Sequence, residues 1–288
     1  MNPLFKKLTV LGAGTMGQGI AHVCAAAGVK TVLYDVDIST VERGLKRIRA
    51  NLDKGVALGK VTENDREATQ SLIRGSSDLS AAVEGVPLVI EAAPESIELK
   101  QKLFRMVEQR VGADTILATN TSSLSIAQIS EGMEFPARFL GMHFFNPVHI
   151  MDLVEIVCCD STAESTRDVA LKFARFIGKD PIVVKDSPGF ASSRLGVILG
   201  LEAIRMVEAE VAEPEAIDKA MTLGYRHPMG PLRLTDLIGL DIRLGVAEYL
   251  QEKLNSQAFR PPELLKRMVA EGKLGKKSGE GFYRWEDE

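Results

Sequence analysis

Cysteines, aromatics and an excess charge of either sign are all scarce in this chain of 288 residues. Its three cysteines, Cys24, Cys158 and Cys159, contain no C-x-x-C pair and too few thiols for a disulfide scaffold. All three lie in apolar runs, which predicts buried thiols in a protein of a reducing compartment. Lysine and arginine number 35 against 39 acidic residues, a net charge of −4. That balance gives no general attraction for nucleic acid or an anionic membrane, so an anionic ligand has to be gripped locally. No apolar run reaches the ~18 uninterrupted residues that a membrane span needs. Residues 1–28 have the basic-then-apolar look of a secretory leader, but Gly12, Gly14, Gly17, Gln18, Gly19 and His22 interrupt it. A cytoplasmic protein with no membrane and no nucleic-acid partner is expected. Internal repeats and low-complexity tracts are also missing.

What is present is an alternation. Short β-rich runs at 7–12, 30–35, 86–93, 115–119 and 139–145 are separated by helical segments such as 15–28, 39–55 and 95–111. Ser39 stands where an N-cap of the second helix is expected. Further β runs at 151–157 and 181–185 flank a helix at 161–178. This order predicts an α/β fold, a parallel sheet with helices on both faces. After "DSPGF" (186–190) the texture changes to helix punctuated by proline and glycine, with no convincing strand. The expected organisation is therefore a Rossmann-type doubly wound domain over 1–187 and an all-helical domain over 188–288.

The run "GAGTMG" places Gly12, Gly14 and Gly17 directly after a strand and at the start of a helix, with Thr15 and Met16 between them. Asp35 follows at the end of the next strand. This is the layout of a dinucleotide turn: one glycine for the bend, one for close pyrophosphate approach and one for helix–strand packing. A carboxylate at Asp35 suits the ribose hydroxyls of NAD. A 2′-phosphate there would meet like charge, at about 4 kcal/mol for a unit pair ~4 Å apart in an effective dielectric near 20.

Two stretches place polar groups where the crevice of such a sheet lies. "ATNTSSLSI" ends a β run with Asn120, Thr121, Ser122 and Ser123, which serve either as substrate contacts or as the caps of a helix. "GMHFFNPVHIMDLVEIV" holds His143 on one β run and Glu155 on the next, after a turn at Asn146-Pro147. A histidine backed by a carboxylate is the pairing that hydride transfer from an alcohol needs, because the imidazole takes the hydroxyl proton while the carboxylate fixes its tautomer. Alone, a histidine in an apolar run is more often a core residue; beside a nucleotide turn the catalytic reading gains. His149 has no such carboxylate partner and reads as a loop residue.

These motifs, with "EAAPE", "TNTSS", "HFFNP" followed by "MDLVE", "DSPGF", "HPMGPLRLTDLIGLD" and "GKLGKKSGEGFY", run from end to end of the chain. They resemble the short, single-function L-3-hydroxyacyl-CoA dehydrogenases. The resemblance implies His143 as catalytic base with Glu155 as its partner, Ser122 on the substrate oxygen and Asn146 beside the nicotinamide. It also implies cofactor contacts from Glu95, Lys100, Asn120 and Lys277, an acyl-CoA substrate, and a helical domain that forms a homodimer. Lys54, in a basic stretch after Asp35, is the candidate for the CoA phosphates. Ser193 departs from the family pattern, which reads asparagine there. A serine still donates and accepts, so a change on the order of tenfold in rate is expected rather than silence. The rival readings are a dehydrogenase of a free hydroxy acid or sugar acid, and a non-catalytic, crystallin-like NAD-binding protein.

Overall fold

The computed structural model describes residues 5–285, so the first four and last three residues of the two expected domains lie outside the described residues. The described chain parts between Ser187 and Pro188 into two compact units.

The first unit is built on eight strands: β1 (Lys7–Leu11), β2 (Lys30–Tyr34), β3 (Ile73–Ser76), β4 (Leu88–Glu91), β5 (Ile116–Thr119), β6 (Phe139–Phe144), β7 (Leu153–Cys158) and β8 (Asp180–Lys185). Their spatial order is β3-β2-β1-β4-β5-β6-β7-β8. Between them run the helices α1 (Thr15–Ala26), α2 (Ile38–Ala57), α3 (Glu63–Ser71), α4 (Leu79–Val83), α5 (Ile97–Glu108), α6 (Ile126–Ile129) and α7 (Glu164–Phe176). All residues of β4, β5 and β6 are buried, which is why these strands read as continuous apolar runs rather than as alternating ones. The chain leaves β1 towards β2 on one side and returns through β4 on the other. That reversal opens a crevice at the carboxyl ends of the two strands.

Three details differ from the sequence reading. The strand β3 was not foreseen, because "IRGS" is short, half-exposed and carries Gly75, whose hypothetical Cβ would lie 2.4 Å from Val41 of α2. The pairing of β6 with β7 is antiparallel within an otherwise parallel sheet. Asp37, not Ser39, caps α2: its carboxylate accepts from Ser39 N at 3.0 Å and Ser39 Oγ at 2.6 Å. Aspartate wins because it stands one residue before the helix with two acceptor oxygens to offer.

The second unit consists of α8 (Ser192–Glu208), α9 (Pro214–Gly224), α10 (Pro231–Ile238), α11 (Leu240–Leu254) and α12 (Glu263–Ala270) around Val197, Leu201, Ile204, Leu232, Leu240, Leu250 and Leu265. Among the described residues it has no strand, only isolated bridges joining Gly275, Glu280 and Arg284. Asp236, fully buried, accepts from Phe282 N, Tyr283 N and Trp285 Nε1, each at 2.9 Å, and so staples the tail to α10.

Candidate active site

A cavity of about 390 Å³ lies in the first unit, where α1 begins and β4, β5 and β6 end. Its floor comes from Ala92 and Ala93, its near wall from Met16, and its polar groups from Glu95, Asn120, Ser122, His143 and Asn146. Each polar group is placed by backbone that the sheet holds. In the β6–β7 register His143 stands directly opposite Glu155. The imidazole Nδ1 lies 2.8 Å from Glu155 Oε2, with the ring nearly buried and the carboxylate fully so. Asn120 Oδ1 accepts from Phe144 N at 2.9 Å, tying the end of β5 to the end of β6. Glu95 Oε1 collects Thr121 Oγ1 and, at 3.1 Å, Ser122 N. Ser122 is thus exposed at the rim with its backbone pinned, and the residue that caps α6 is Ser125. Asn146 enters through a cis bond to Pro147.

The adjoining turn has the shape a dinucleotide needs. Gly12 has φ +98°, and a Cβ there would meet Ala92 O at 2.5 Å. A Cβ on Gly17 would lie 1.7 Å from Gly12 O, so only glycine lets α1 pack this close. Gly14, by contrast, faces open space, with no atom within 4 Å of a Cβ position. It is also the N-cap of α1 and provides no side-chain cap. The first-turn amides of Thr15 and Met16 therefore point where a phosphate can accept them. Asp35 Oδ2 accepts from Ala13 N at 2.9 Å, which anchors the carboxylate beside the glycine turn and steadies that turn.

Beneath the floor sits a network that the sequence reading missed. Glu91, fully buried at the end of β4, accepts from Lys100 Nζ, Thr119 Oγ1 and Ala93 N, each at 2.6 Å. Burial pushes its carboxyl up, and the Lys100 ammonium with these hydrogen bonds pulls it back. The first glutamate of "EAAPE" was the available signal.

The two units correspond to two named families. Residues 7–187 match the family described as 3-hydroxyacyl-CoA dehydrogenase, NAD binding domain, and residues 189–285 match 3-hydroxyacyl-CoA dehydrogenase, C-terminal domain. The chain belongs to the 3-hydroxyacyl-CoA dehydrogenase family. A probable 3-hydroxybutyryl-CoA dehydrogenase of Bacillus subtilis is 43% identical over 282 residues, covering 98% of each chain. The crystal structure of M. tuberculosis FadB2 superposes with a TM-score of 0.93 at 41% identity, over 97% of this chain and 99% of that one. The (S)-3-hydroxybutyryl-CoA dehydrogenase PaaH1 from Ralstonia eutropha gives 0.94 at 38% identity, over 98% and 100%. NAD is the cofactor of this dehydrogenase, in agreement with the glycine turn and Asp35.

Not every expected site residue of this dehydrogenase lies at the cavity. Lys100 is 1% exposed, and its ammonium is held by Glu91, by Ala93 O at 3.3 Å and by Glu95 Oε2 at 3.4 Å. Its ion-pair partner Glu91 does not line the cavity, whereas Glu95 does, so Lys100 is joined to the cavity through Glu95. Lys54 is exposed in the last turn of α2, within electrostatic reach of His149. Ser193 and Lys277 belong to the second unit. Ser193 stands in the first turn of α8, and Lys277 pairs with Asp241 at 2.5 and 2.6 Å. His149 lies in the connection between β6 and β7, as its sequence position suggests, with its ring 5.6 Å from that of His22 on α1.

Proposed function

We propose that this dehydrogenase interconverts short-chain (S)-3-hydroxyacyl-CoA and 3-oxoacyl-CoA, with 3-hydroxybutyryl-CoA and acetoacetyl-CoA as the type pair. The observation that carries the reading is His143 Nδ1 at 2.8 Å from buried Glu155, in a cavity shared with Ser122 and Asn146. With Nδ1 committed to the carboxylate, Nε2 is the nitrogen that takes the 3-hydroxyl proton in oxidation and returns it in reduction. Bound NAD supplies the acceptor for the C3 hydride. Glu155 holds the tautomer and stabilises the imidazolium once the proton arrives. Ser122 offers a hydroxyl to the same substrate oxygen, and Asn146 orients the nicotinamide against it. Glu95 is the cofactor contact that Lys100 and the Thr121–Ser123 loop hold in place. Lys54 attracts the CoA phosphates, and Ser193 tunes the rate. Relatives known as 3-hydroxybutyryl-CoA dehydrogenases or probable ones, similar over nearly the full chain length, support the acyl-CoA substrate.

A homodimer through the helical unit fits the exposed Leu223, Tyr225, Leu237 and Ile242 of that unit. A cytoplasmic setting fits the three free cysteines, and no helix among the described residues is long and apolar enough to cross a membrane. Loss of NADH absorbance with acetoacetyl-CoA, run beside NADPH and beside free acetoacetate, tests the whole reading. Turnover with NADH and the thioester alone is expected. NADH binding without turnover of the thioester would overturn the substrate assignment.

A further inference from the structure

The segment between β6 and β7 carries Phe145 and Asn146 to the cavity, yet as an eight-residue connection between strands it would ordinarily be among the more mobile parts of the unit. Three contacts from outside hold it. Lys179, in the turn between α7 and β8 and only 8% exposed, donates from Nζ to Val148 O at 2.6 Å and to Met151 O at 2.8 Å. Those two carbonyls flank a tight turn in which Ile150 N and Met151 N both donate to Pro147 O, at 2.9 and 3.0 Å. Helix α1 packs against the same turn. Val148 fills the space left by Gly19, where a Cβ would lie 2.8 Å from its Cγ2, and His149 lies over His22.

A buried ammonium is costly unless its donors are used. Here two of them are spent on backbone carbonyls of one loop, with Asp152 adding a favourable charge nearby. Such an arrangement fixes backbone position rather than side-chain chemistry. Lys179 does not line the cavity and touches no reacting group. We propose that Lys179 is a positioning residue, whose ammonium moors the 145–152 loop from outside the cavity lining and thereby sets Asn146 and Phe145 against the pocket that His143 lines. The proposal rests on the catalytic reading of that pocket.

The test is a double-mutant cycle on the full-length enzyme. Lys179→Met keeps the length of the side chain and removes its donors; Asn146→Ala removes the group it is held to position. NADH affinity is read by fluorescence, kcat and KM with acetoacetyl-CoA, and loop opening by hydrogen exchange at the amides of Ile150 and Met151. Lys179→Met is expected to speed exchange at those two amides, weaken NADH binding and lower kcat by about tenfold or more. Lys179→Arg, which retains charge and donors, should recover most of the loss. In the Asn146→Ala background the same substitution should cost less than about threefold, because the positioned group is already gone. Unchanged exchange and kinetics in Lys179→Met, or losses that multiply in full with Asn146→Ala, overturn the proposal. If Lys179→Met does not fold, Lys179→Gln takes its place, since the shorter side chain keeps a polar end but cannot span both carbonyls; normal exchange and kinetics there likewise overturn it. A silent Asn146→Ala with faster exchange in Lys179→Met would instead sink the catalytic reading of Asn146 and leave the mooring standing.

Discussion

His143 and Glu155 are separated by twelve residues in sequence and meet because they occupy one rung of an antiparallel pair. Removing the hydrogen-bond partner of a buried carboxylate leaves it stranded at a cost of several kcal/mol, so truncating the histidine to alanine would confuse stability with chemistry. His143→Gln keeps a hydrogen-bonding side chain against the Glu155 carboxylate. It is expected to lower kcat by about 10²–10⁴ while NADH affinity stays within a few-fold, measured by stopped-flow turnover and fluorescence titration. Glu155→Gln should also fall by at least about 10², since an amide can donate to Nδ1 and favour the wrong tautomer. Equal kcat in wild type and both variants would remove this pair from the chemistry.

At the scale of one element, the start of α1 separates two uses of glycine. Gly17 is required by packing, with a Cβ at 1.7 Å from Gly12 O, whereas Gly14 faces open space. Gly17→Ala must therefore displace α1 from β1, lowering the melting temperature and NADH affinity together. Gly14→Ala should fold with an unchanged melting temperature and lose NADH affinity by about tenfold or more, because its methyl occupies only the space a phosphate approaches. Differential scanning fluorimetry beside NADH titration distinguishes the two. Identical profiles for both variants would show that the glycines are not divided in this way.

For the molecule as a whole, folding stability should depend on pH through His22. Burial on α1, with His149 alongside, lowers its pKa from 6.5 to about 4, and its Nδ1 is buried without a hydrogen-bond partner. Between those values the unfolded chain binds the proton and the folded one does not, so stability falls as pH drops below 6.5 and has lost the full amount near pH 4. The loss is on the order of 3 kcal/mol. His22→Gln should remove that component, so the difference in unfolding free energy between variant and wild type, from denaturant titrations at pH 7, 5.5 and 4.5, should move in favour of the variant as pH falls. A constant difference would show that His22 is protonated in the folded state as readily as in the unfolded one.

Local chemistry settled much of this protein before any fold was seen. The spacing of Gly12, Gly14 and Gly17, the carboxylate at Asp35 and the change to helix after Pro188 each follow from backbone freedom, charge and periodicity within a short window, and the dinucleotide turn is legible for that reason. Tertiary structure decided what depends on pairing between distant segments. The rung that joins His143 to Glu155 needs an antiparallel reversal, whereas the alternation of strands and helices argued only for parallel pairing. That Glu91 holds the Lys100 ammonium is visible only once the end of β4 lies against α5, and His149 meets His22 only once its loop folds back on α1. A charge or an imidazole carries no local signal of its partner, because its energy is fixed by what lies within a few ångströms of it in space rather than by what precedes it in the chain.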